Sequence, residues 1–316
     1  MRLVISSPVS RDSFEQKLGG LGGIKLTWAE APELPALSRS ADAIVMAGLF
    51  YGDDLARALD RPDNPCRWLQ LITAGYEQLV TFGVPRRITV STAGSVWSPV
   101  VAEQAMLLML ALARRMTKVV AAQGRREWDN TIRRDMDMLG GGRLTIVGMG
   151  SIGSELAKRA KAFGMTITGV NRSGRPHPAA DRTLPTRQLR EALSDADFVV
   201  VAAPLASDTV GLIGAAELAA CPRHAIVVNV GRGAVIDSAA LLRALNDGVV
   251  AGAGLDVTDP EPLPPDSPLW AMPNVIVSPH IGGAAPERYY ERLVDHVLAN
   301  TRAWMAGAPI SDRVTI

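Results

Sequence analysis

Cysteine is almost missing from this chain. Cys66 and Cys221 are the only two in 316 residues, which rules out a disulfide framework and a thiolate metal cluster, and no metal site is expected. Both read as small apolar packing residues in a reducing compartment, so the cytoplasm is the expected location. Neither sign of charge is in excess: 33 Lys and Arg face 32 Asp and Glu. No basic face for nucleic acid is therefore implied. No apolar run reaches the roughly 18 residues needed to cross a bilayer, so no membrane partner is expected. The apolar part of Met1–Pro8 is too short for a signal peptide and reads as a first strand. No repeat of fixed period and no low-complexity tract occurs. What remains is a globular composition, 47% hydrophobic with scattered charge, long enough for about two domains.

One stretch organises the rest. Gly148-Met149-Gly150-Ser151-Ile152-Gly153 follows the apolar run Leu144–Val147 and precedes a helical pattern from Glu155 to Phe163. Strand, glycine turn and helix in that order are what a dinucleotide-binding turn needs. Gly148 permits the tight turn, Gly150 lets backbone approach a pyrophosphate, and Gly153 lets the helix pack close to the strand. The helix N-terminus, at Ser151 and Ile152, then offers free N–H groups and a positive dipole end. Alone such a glycine pattern is an ordinary turn. A second strand-like run at Met165–Val170 makes it a cofactor site.

Before this turn, strand candidates at Leu3–Ile5, Ile24–Trp28, Ala43–Met46, Arg67–Ile72 and Ile88–Ser91 alternate with helical patterns at Arg11–Leu18 and Asp53–Leu59. Alternation of this kind argues a parallel sheet covered on both faces. This first lobe has no glycine phosphate turn. Ser98 is expected to cap, and Pro99 to begin, a long helix running to about Arg115. Its middle, Ala105–Ala113, is apolar almost all round, which suits a hinge between lobes or a subunit contact. The polar stretch Gln123–Asp129 carries one tryptophan and reads as a surface loop or a clasp between subunits. After the turn come apolar runs at Asp197–Ala203, Ala225–Val230, Val250–Leu255 and Asn274–Ser278, with helices at Ala215–Ala220 and Asp237–Leu245. An amphipathic helix, Arg288–Met305, closes the chain.

In an open parallel sheet, ligands bind beyond the carboxyl ends of the strands. Three such ends carry unusual residues: Gly231-Arg232-Gly233 after Val230, Asp256 and then Glu261 after Leu255, and Pro279-His280-Ile281 after Ser278. Each alone has an unremarkable explanation as a turn, a solvated carboxylate or a structural histidine. Together they put a base, an acid and a guanidinium beside a cofactor turn. His177, His224 and His296 lack this context.

These segments resemble the D-isomer-specific 2-hydroxyacid dehydrogenases. The resemblance spans essentially the whole chain and is carried by Val101-Ala102-Glu103, the glycine turn, Pro204-Leu205 with Thr209, Asn229–Ala234, Gly254–Val257, Glu261-Pro262-Leu263 and Pro279–Gly283. It implies an α/β fold of two doubly wound parallel-sheet lobes. A Rossmann cofactor domain, residues 97–285, would be inserted into a flavodoxin-like substrate domain, residues 1–96 with 286–316. It also implies a homodimer built on the cofactor domains, and a reaction that moves a hydride between NAD(P)H and a 2-keto acid to give a D-2-hydroxy acid. His280 would be the general acid–base, Glu261 its partner and Arg232 the anchor of the substrate's carboxylate and carbonyl oxygen. A histidine starts near pKa ~6.5, and a buried carboxylate partner would raise it, keeping it loaded for reduction. Arginine offers a fixed fork that lysine cannot. Asp256 would accept from the nicotinamide carboxamide, with Pro204, Thr209 and Val230 also at the cofactor. Ala74-Gly75-Tyr76 matches the family's carboxylate-binding loop, with Trp97 nearby.

Two departures stand out. Relatives that use NAD end the second strand in an acidic residue, whereas here Val170 is followed by Asn171-Arg172-Ser173. With no carboxylate to repel a 2′-phosphate and an arginine and a hydroxyl to bind one, NADP is expected over NAD, with NAD possible. Gln104 stands where relatives often have histidine, and no chemistry attaches to it from sequence. By the family pattern Phe50, Tyr51, Tyr76 and Trp97 border the substrate. They would fill the pocket around glyoxylate or hydroxypyruvate, or form a wall against an aromatic or branched 2-keto acid. Other activities on this fold are formate oxidation, which the glutamate at 261 opposes, phosphite oxidation, which keeps it, and non-enzymatic corepression by dinucleotide sensing.

Overall fold

The computed structural model describes all residues, 1–316. The chain opens with β1 (Arg2–Ser6), α1 (Arg11–Gly19), β2 (Lys25–Trp28), α2 (Leu34–Leu37), β3 (Ala43–Met46), α3 (Asp53–Asp60), β4 (Trp68–Leu71), α4 (Glu77–Phe82) and β5 (Thr89–Ser91). A middle stretch follows with α5 (Ser98–Ala113), α6 (Met116–Gly124), β6 (Arg143–Val147), α7 (Ser151–Ala162), β7 (Thr166–Asn171), β8 (Arg182–Pro185), α8 (Leu189–Leu193), β9 (Phe198–Val201), α9 (Ala215–Ala220), β10 (Ile226–Asn229), α10 (Ser238–Asn246), β11 (Gly252–Leu255) and β12 (Val275–Val277). The chain ends with α11 (Glu287–Met305) and β13 (Arg313–Val314).

Two compact units result, one of Met1–Trp97 with Ala285–Ile316, the other of Ser98–Ala284. The first holds a six-stranded sheet in the order β13-β5-β4-β3-β1-β2, the second a seven-stranded sheet in the order β12-β11-β10-β9-β6-β7-β8. All pairings are parallel except β13 with β5. Both sheets are doubly wound. Each reverses its strand order beside its first strand, between β1 and β3 and between β6 and β9, the position where such sheets take ligands.

Five central strands are buried on both faces, their polar residues Gln70 and Asn229 included, whereas β12, also an apolar run in sequence, is only partly buried. Every residue of β3, β4, β9, β10 and β11 is buried, as helices on both sides of a parallel sheet require. In the second unit α5 packs on α7, β10 and β11. It buries Met106, Leu108, Met109 and Leu112, each worth about 1.5–3 kcal/mol.

The C-terminal segment is tied to the first unit by polar as well as apolar contacts. Trp68 Nε1 donates to Ser91 Oγ at 2.9 Å, Ser91 donates to Gln70 Oε1 at 2.7 Å, and Asn300 Nδ2 donates to that same oxygen at 2.8 Å. Asn300 also accepts from the backbone and hydroxyl of Ser311, each at 2.9 Å. A buried network with its members paired fixes one position for α11 over β4 and β5. Trp304 stacks on Trp68 at 5.4 Å between centroids.

Several elements differ from the sequence expectation. α5 takes in Ser98 as its first residue and ends at Ala113; Arg115, at φ 53°, is the N-cap of α6, which includes Gln123 and Gly124. Trp128 lies beyond it, 95% exposed. The strands β8 and β13 and the short helices α2, α4 and α8 carry too few residues to show a period. Tyr51, expected beside the substrate, is only 1% exposed. It sits in the first unit's core, its hydroxyl donating to the Gly83 carbonyl at 2.6 Å, and burial pushes its phenol up. It is therefore removed from the candidate pocket wall.

Candidate active site

The glycine turn joins β6 to α7. Gly148 has φ 106°, and a Cβ there would lie 2.6 Å from the Ala203 nitrogen. A Cβ on Gly153 would lie 2.4 Å from the Gly148 carbonyl oxygen. Both positions need glycine for the turn itself. Gly150 differs, because a Cβ there would meet nothing within 4 Å. Its bareness leaves room for something outside the chain. Gly150 is also the N-cap of α7 and provides no side-chain cap, so the first helical N–H groups, at Ser151 and Ile152, are available to an anion. The residues present fit the pyrophosphate of a dinucleotide.

Beside this turn, β7 ends at Asn171. The Asn171 amide is spent on its own turn: Nδ2 donates to the Arg175 carbonyl at 2.8 Å, and Oδ1 accepts from the Gly174 N–H at 2.7 Å. Arg172 and Ser173 are left exposed. The absence of a carboxylate here, expected from the residues after Val170, does not hold in space. Asp208, on the loop after β9, places a carboxylate oxygen 3.1 Å from Arg172 Nε. The same loop is closed by Thr209, whose hydroxyl donates to the Pro204 carbonyl at 2.7 Å and accepts from the Ala206 N–H at 2.7 Å. Val230, just past β10, is 5% exposed.

Arg232, Glu261 and His280 follow β10, β11 and β12, three adjacent strands of one sheet. Asn229, 1% exposed, shapes the first of these turns by donating to the Arg232 carbonyl at 3.0 Å and accepting from the Gly231 N–H at 3.0 Å. Arg232 Nη1 donates to the Gly231 carbonyl at 2.8 Å. His280 Nδ1 lies 2.5 Å from Glu261 Oε1, which leaves Nε2 as the outward nitrogen. The pair is not buried, contrary to expectation: the side chains are 46% and 42% exposed.

His280 has φ 52°, a left-handed conformation that costs a non-glycine residue about 1 kcal/mol or more and persists only when its surroundings over-determine it. Asp256 supplies that determination. Its carbonyl accepts the His280 N–H at 2.8 Å. Its carboxylate, 2% exposed, accepts from the N–H groups of Ile281 at 3.2 Å and Gly282 at 2.8 Å and from Ser278 Oγ at 2.6 Å. Gln104, on α5, completes the set, donating to Asp256 Oδ1 at 3.2 Å and to Ser278 Oγ at 2.9 Å. Sequence reasoning attached nothing to Gln104. The one available signal was an amide, partly buried, beside exposed Glu103 on an early turn of a largely apolar helix. Asp256 has its carboxylate filled by protein donors in this arrangement.

The other histidines have structural partners: His177 with Ser154 Oγ at 3.2 Å, His224 with Asp197 at 2.8 Å and His296 with the Thr92 carbonyl at 3.0 Å. Cys66 and Cys221 are buried, and burial pushes each thiol up to about 11. No group of His, Cys, Asp and Glu is placed to hold a metal ion. In the first unit, Ala74 is exposed and Gly75 and Tyr76 are partly buried. Trp97 donates from Nε1 to the Ile72 carbonyl at 2.9 Å and packs its ring against Tyr289 and Tyr290.

Residues 106–282 match the family described as D-isomer specific 2-hydroxyacid dehydrogenase, NAD binding domain. The chain belongs to this family. It is 36% identical over 270 residues to glyoxylate/hydroxypyruvate reductase B of Yersinia pestis (strain Pestoides F), covering 84% of this chain and 81% of that protein. Among solved structures, a D-isomer specific 2-hydroxyacid dehydrogenase family protein from Aeromonas salmonicida subsp. salmonicida A449 superposes with a TM-score of 0.88 at 28% identity, over 99% of this chain and 98% of that one. An NADPH-dependent glyoxylate/hydroxypyruvate reductase from Sinorhizobium meliloti, solved with NADP and sulfate, gives a TM-score of 0.81 at 26% identity, over 99% and 98%. The 2-hydroxyacid dehydrogenase fold thus covers both units. No helix is long and apolar enough to cross a membrane.

Proposed function

We propose that this protein reduces a small 2-keto acid to a D-2-hydroxy acid with NADPH, using NADH less well. The observation that carries the reading is the 2.5 Å contact of His280 Nδ1 with Glu261, at a strand end of the sheet that holds the glycine turn. With Nδ1 engaged by a carboxylate, the imidazole is held in one orientation and directs Nε2 outward, where it can give a proton to a carbonyl oxygen. Arg232 holds the substrate's carboxylate and carbonyl oxygen through its planar fork. The second unit, Ser98–Ala284, takes the dinucleotide, which supplies the hydride when bound. Gly150, Ser151 and Ile152 hold its pyrophosphate, Arg172 and Ser173 its adenosine end, and Pro204, Thr209 and Val230 the rest; Asp256, buried and filled by protein donors, holds the His280 turn instead of the nicotinamide.

Small substrates, glyoxylate and hydroxypyruvate, are favoured by the name of the Yersinia relative. NADPH is favoured by Arg172 with Ser173, and by the NADPH-dependent Sinorhizobium enzyme. A homodimer built on the second unit is supported by exposed apolar side chains in its α5–β6 stretch, including Leu107 at 57%, Val120 at 59% and Trp128 at 95%.

The test is oxidation of NADPH and NADH against glyoxylate, hydroxypyruvate, pyruvate, phenylpyruvate and 4-methyl-2-oxopentanoate. Fast turnover of the two small acids with NADPH is expected. A preference for the bulky acids would reassign Tyr76 and Trp97 to a recognition wall, and silence across the panel would defeat the reading. Mass in solution checks the dimer, which a monomer at micromolar concentration would contradict.

A further inference from the structure

We infer that Asp208 sets how strongly this protein distinguishes NADP from NAD. The inference rests on the dinucleotide reading above. It begins with a substitution of means. In dinucleotide-binding sheets of this kind, one acidic residue after the second strand takes the adenosine ribose hydroxyls, or an arginine there takes a 2′-phosphate. Here that strand is β7, and its end supplies Asn171, whose amide is consumed within its own turn by Arg175 and Gly174. The position therefore offers the ribose neither a carboxylate nor a free amide. The carboxylate arrives from another strand end. Asp208 stands on the loop after β9, held in shape by the two hydrogen bonds that Thr209 makes within that loop.

Asp208 contacts Arg172 twice, with Oδ2 3.1 Å from Nε and Oδ1 3.5 Å from Nη2. Both partners are exposed, Arg172 at 80% and Asp208 at 52%. An ion pair this open is weak, so Arg172 can leave it for a better anion. A 2′-phosphate is such an anion, with more charge and more acceptors than a carboxylate. Binding it nonetheless carries two costs. Arg172 must give up Asp208, and the phosphate must then sit beside an unneutralised carboxylate of its own sign. A 2′-hydroxyl incurs neither cost. Asp208 thus holds back a preference that Arg172 creates, and it leaves NAD usable. Both effects come from a residue that a sequence search of the second strand's end passes over.

The test uses the whole protein and two fragments of the cofactor, 2′,5′-ADP and 5′-AMP, measured by titration calorimetry. Neither fragment involves the substrate, so the result does not depend on turnover. Asp208→Asn is expected to tighten 2′,5′-ADP by about five- to tenfold while leaving 5′-AMP within about twofold, the size of one exposed charge pair plus one like-charge contact. Arg172→Ala should bring the two fragments to nearly equal affinity. Raising the salt concentration should shrink the gain from Asp208→Asn, as screening requires. An unchanged ratio in Asp208→Asn would overturn the inference, and so would weaker binding of 2′,5′-ADP, because the carboxylate would then be orienting Arg172 for the phosphate. If the unaltered protein binds neither fragment, the dinucleotide reading itself fails and takes this inference with it. If it binds both and Asp208→Asn changes nothing, only the role of Asp208 fails.

Discussion

The two sheets begin alike and end differently. At the amino end of β1, Arg2 offers its N–H to Asp42 at 2.7 Å and its guanidinium to the same carboxylate, Nη2 at 2.5 Å. Asp42 directly precedes β3, the neighbour of β1. At the amino end of β6, Arg143 offers its N–H to Asp197 at 2.7 Å and Nη2 at 2.9 Å. Asp197 directly precedes β9, the neighbour of β6. One device fastens the reversal point of both sheets. At the carboxyl ends the likeness stops. β1 runs into Ser6-Ser7-Pro8, whereas β6 runs into Gly148 and the helix start at Ser151. β10, β11 and β12 then add Arg232, Glu261 and His280. The amino edges serve the fold, and the carboxyl edge of the second sheet holds the residues to which we assign the chemistry.

The hardest way to break that division is at the carboxyl edge. His280→Ala or Arg232→Ala should lower turnover by about 10²–10⁴-fold while dinucleotide binding and thermal stability survive. Near-normal rates in both variants would remove the site from this edge. The glycine turn sharpens the contrast within a single loop. Gly153→Ala places a Cβ 2.4 Å from a carbonyl oxygen, and should cost about 1–3 kcal/mol in denaturant unfolding. Gly150→Ala meets nothing within 4 Å, so stability should hold while the dinucleotide binds more weakly. Equal unfolding midpoints for the two variants would contradict the distinction.

A smaller effect is expected from the support of His280. Gln104→Leu removes two donors from the Asp256 and Ser278 cluster without changing the bulk of the side chain much. The expected result is about a tenfold fall in kcat with KM and dinucleotide affinity little changed, since the left-handed turn at His280 loosens. Recovery in Gln104→His, but not in Gln104→Met, would mark the donated hydrogen bond as what matters. A fall in thermal stability with kcat intact would make the cluster structural only.

The smallest effects belong to the amino edges. Burial alone would push the Asp197 carboxyl up, but the hydrogen bonds from Arg143 and His224 outweigh it and leave it at about 2. The Arg2 hydrogen bond, opposed by burial, holds Asp42 below its ordinary value. Both groups are depressed on folding, so their contribution is complete above the unfolded value and is lost as pH falls through the folded one. Asp197→Asn should cost about 1–2 kcal/mol near pH 7. The gap from the unaltered protein should close between about pH 4 and the folded value of about 2. Asp42, with its side chain 37% exposed against 19% for Asp197, should cost less than about 1 kcal/mol. A larger loss at Asp42 than at Asp197 would mean that exposure does not rank the two clasps.

Much of this was legible along the chain, because it depends on neighbours in sequence. The alternation of apolar runs with helical patterns follows from burying strands on both faces, and β3, β9 and β11 announce themselves by having no polar residue at all. The glycine spacing is likewise local, since one turn must bend, admit a phosphate and start a helix within six residues. Most of the strands and helices that escaped notice are too short to show a period; α6, at nine residues, escaped because it follows α5 after a single left-handed residue, Arg115. β13 has two residues and exists only because Val90 and Ser91 stand ready to pair with it.

What sequence alone determined was therefore the class of fold, the dinucleotide turn and the residue types gathered after β10, β11 and β12. Only the tertiary structure decided which groups act on one another across distance in the chain. Gln104 meets Asp256 and Ser278 across 152 and 174 positions. Arg172 meets Asp208 across 36. Tyr51 turns into the core instead of toward a ligand. Periodicity and turn chemistry are properties of a few consecutive residues. Hydrogen bonds and ion pairs between separate strand ends arise only once a parallel sheet has brought those ends side by side.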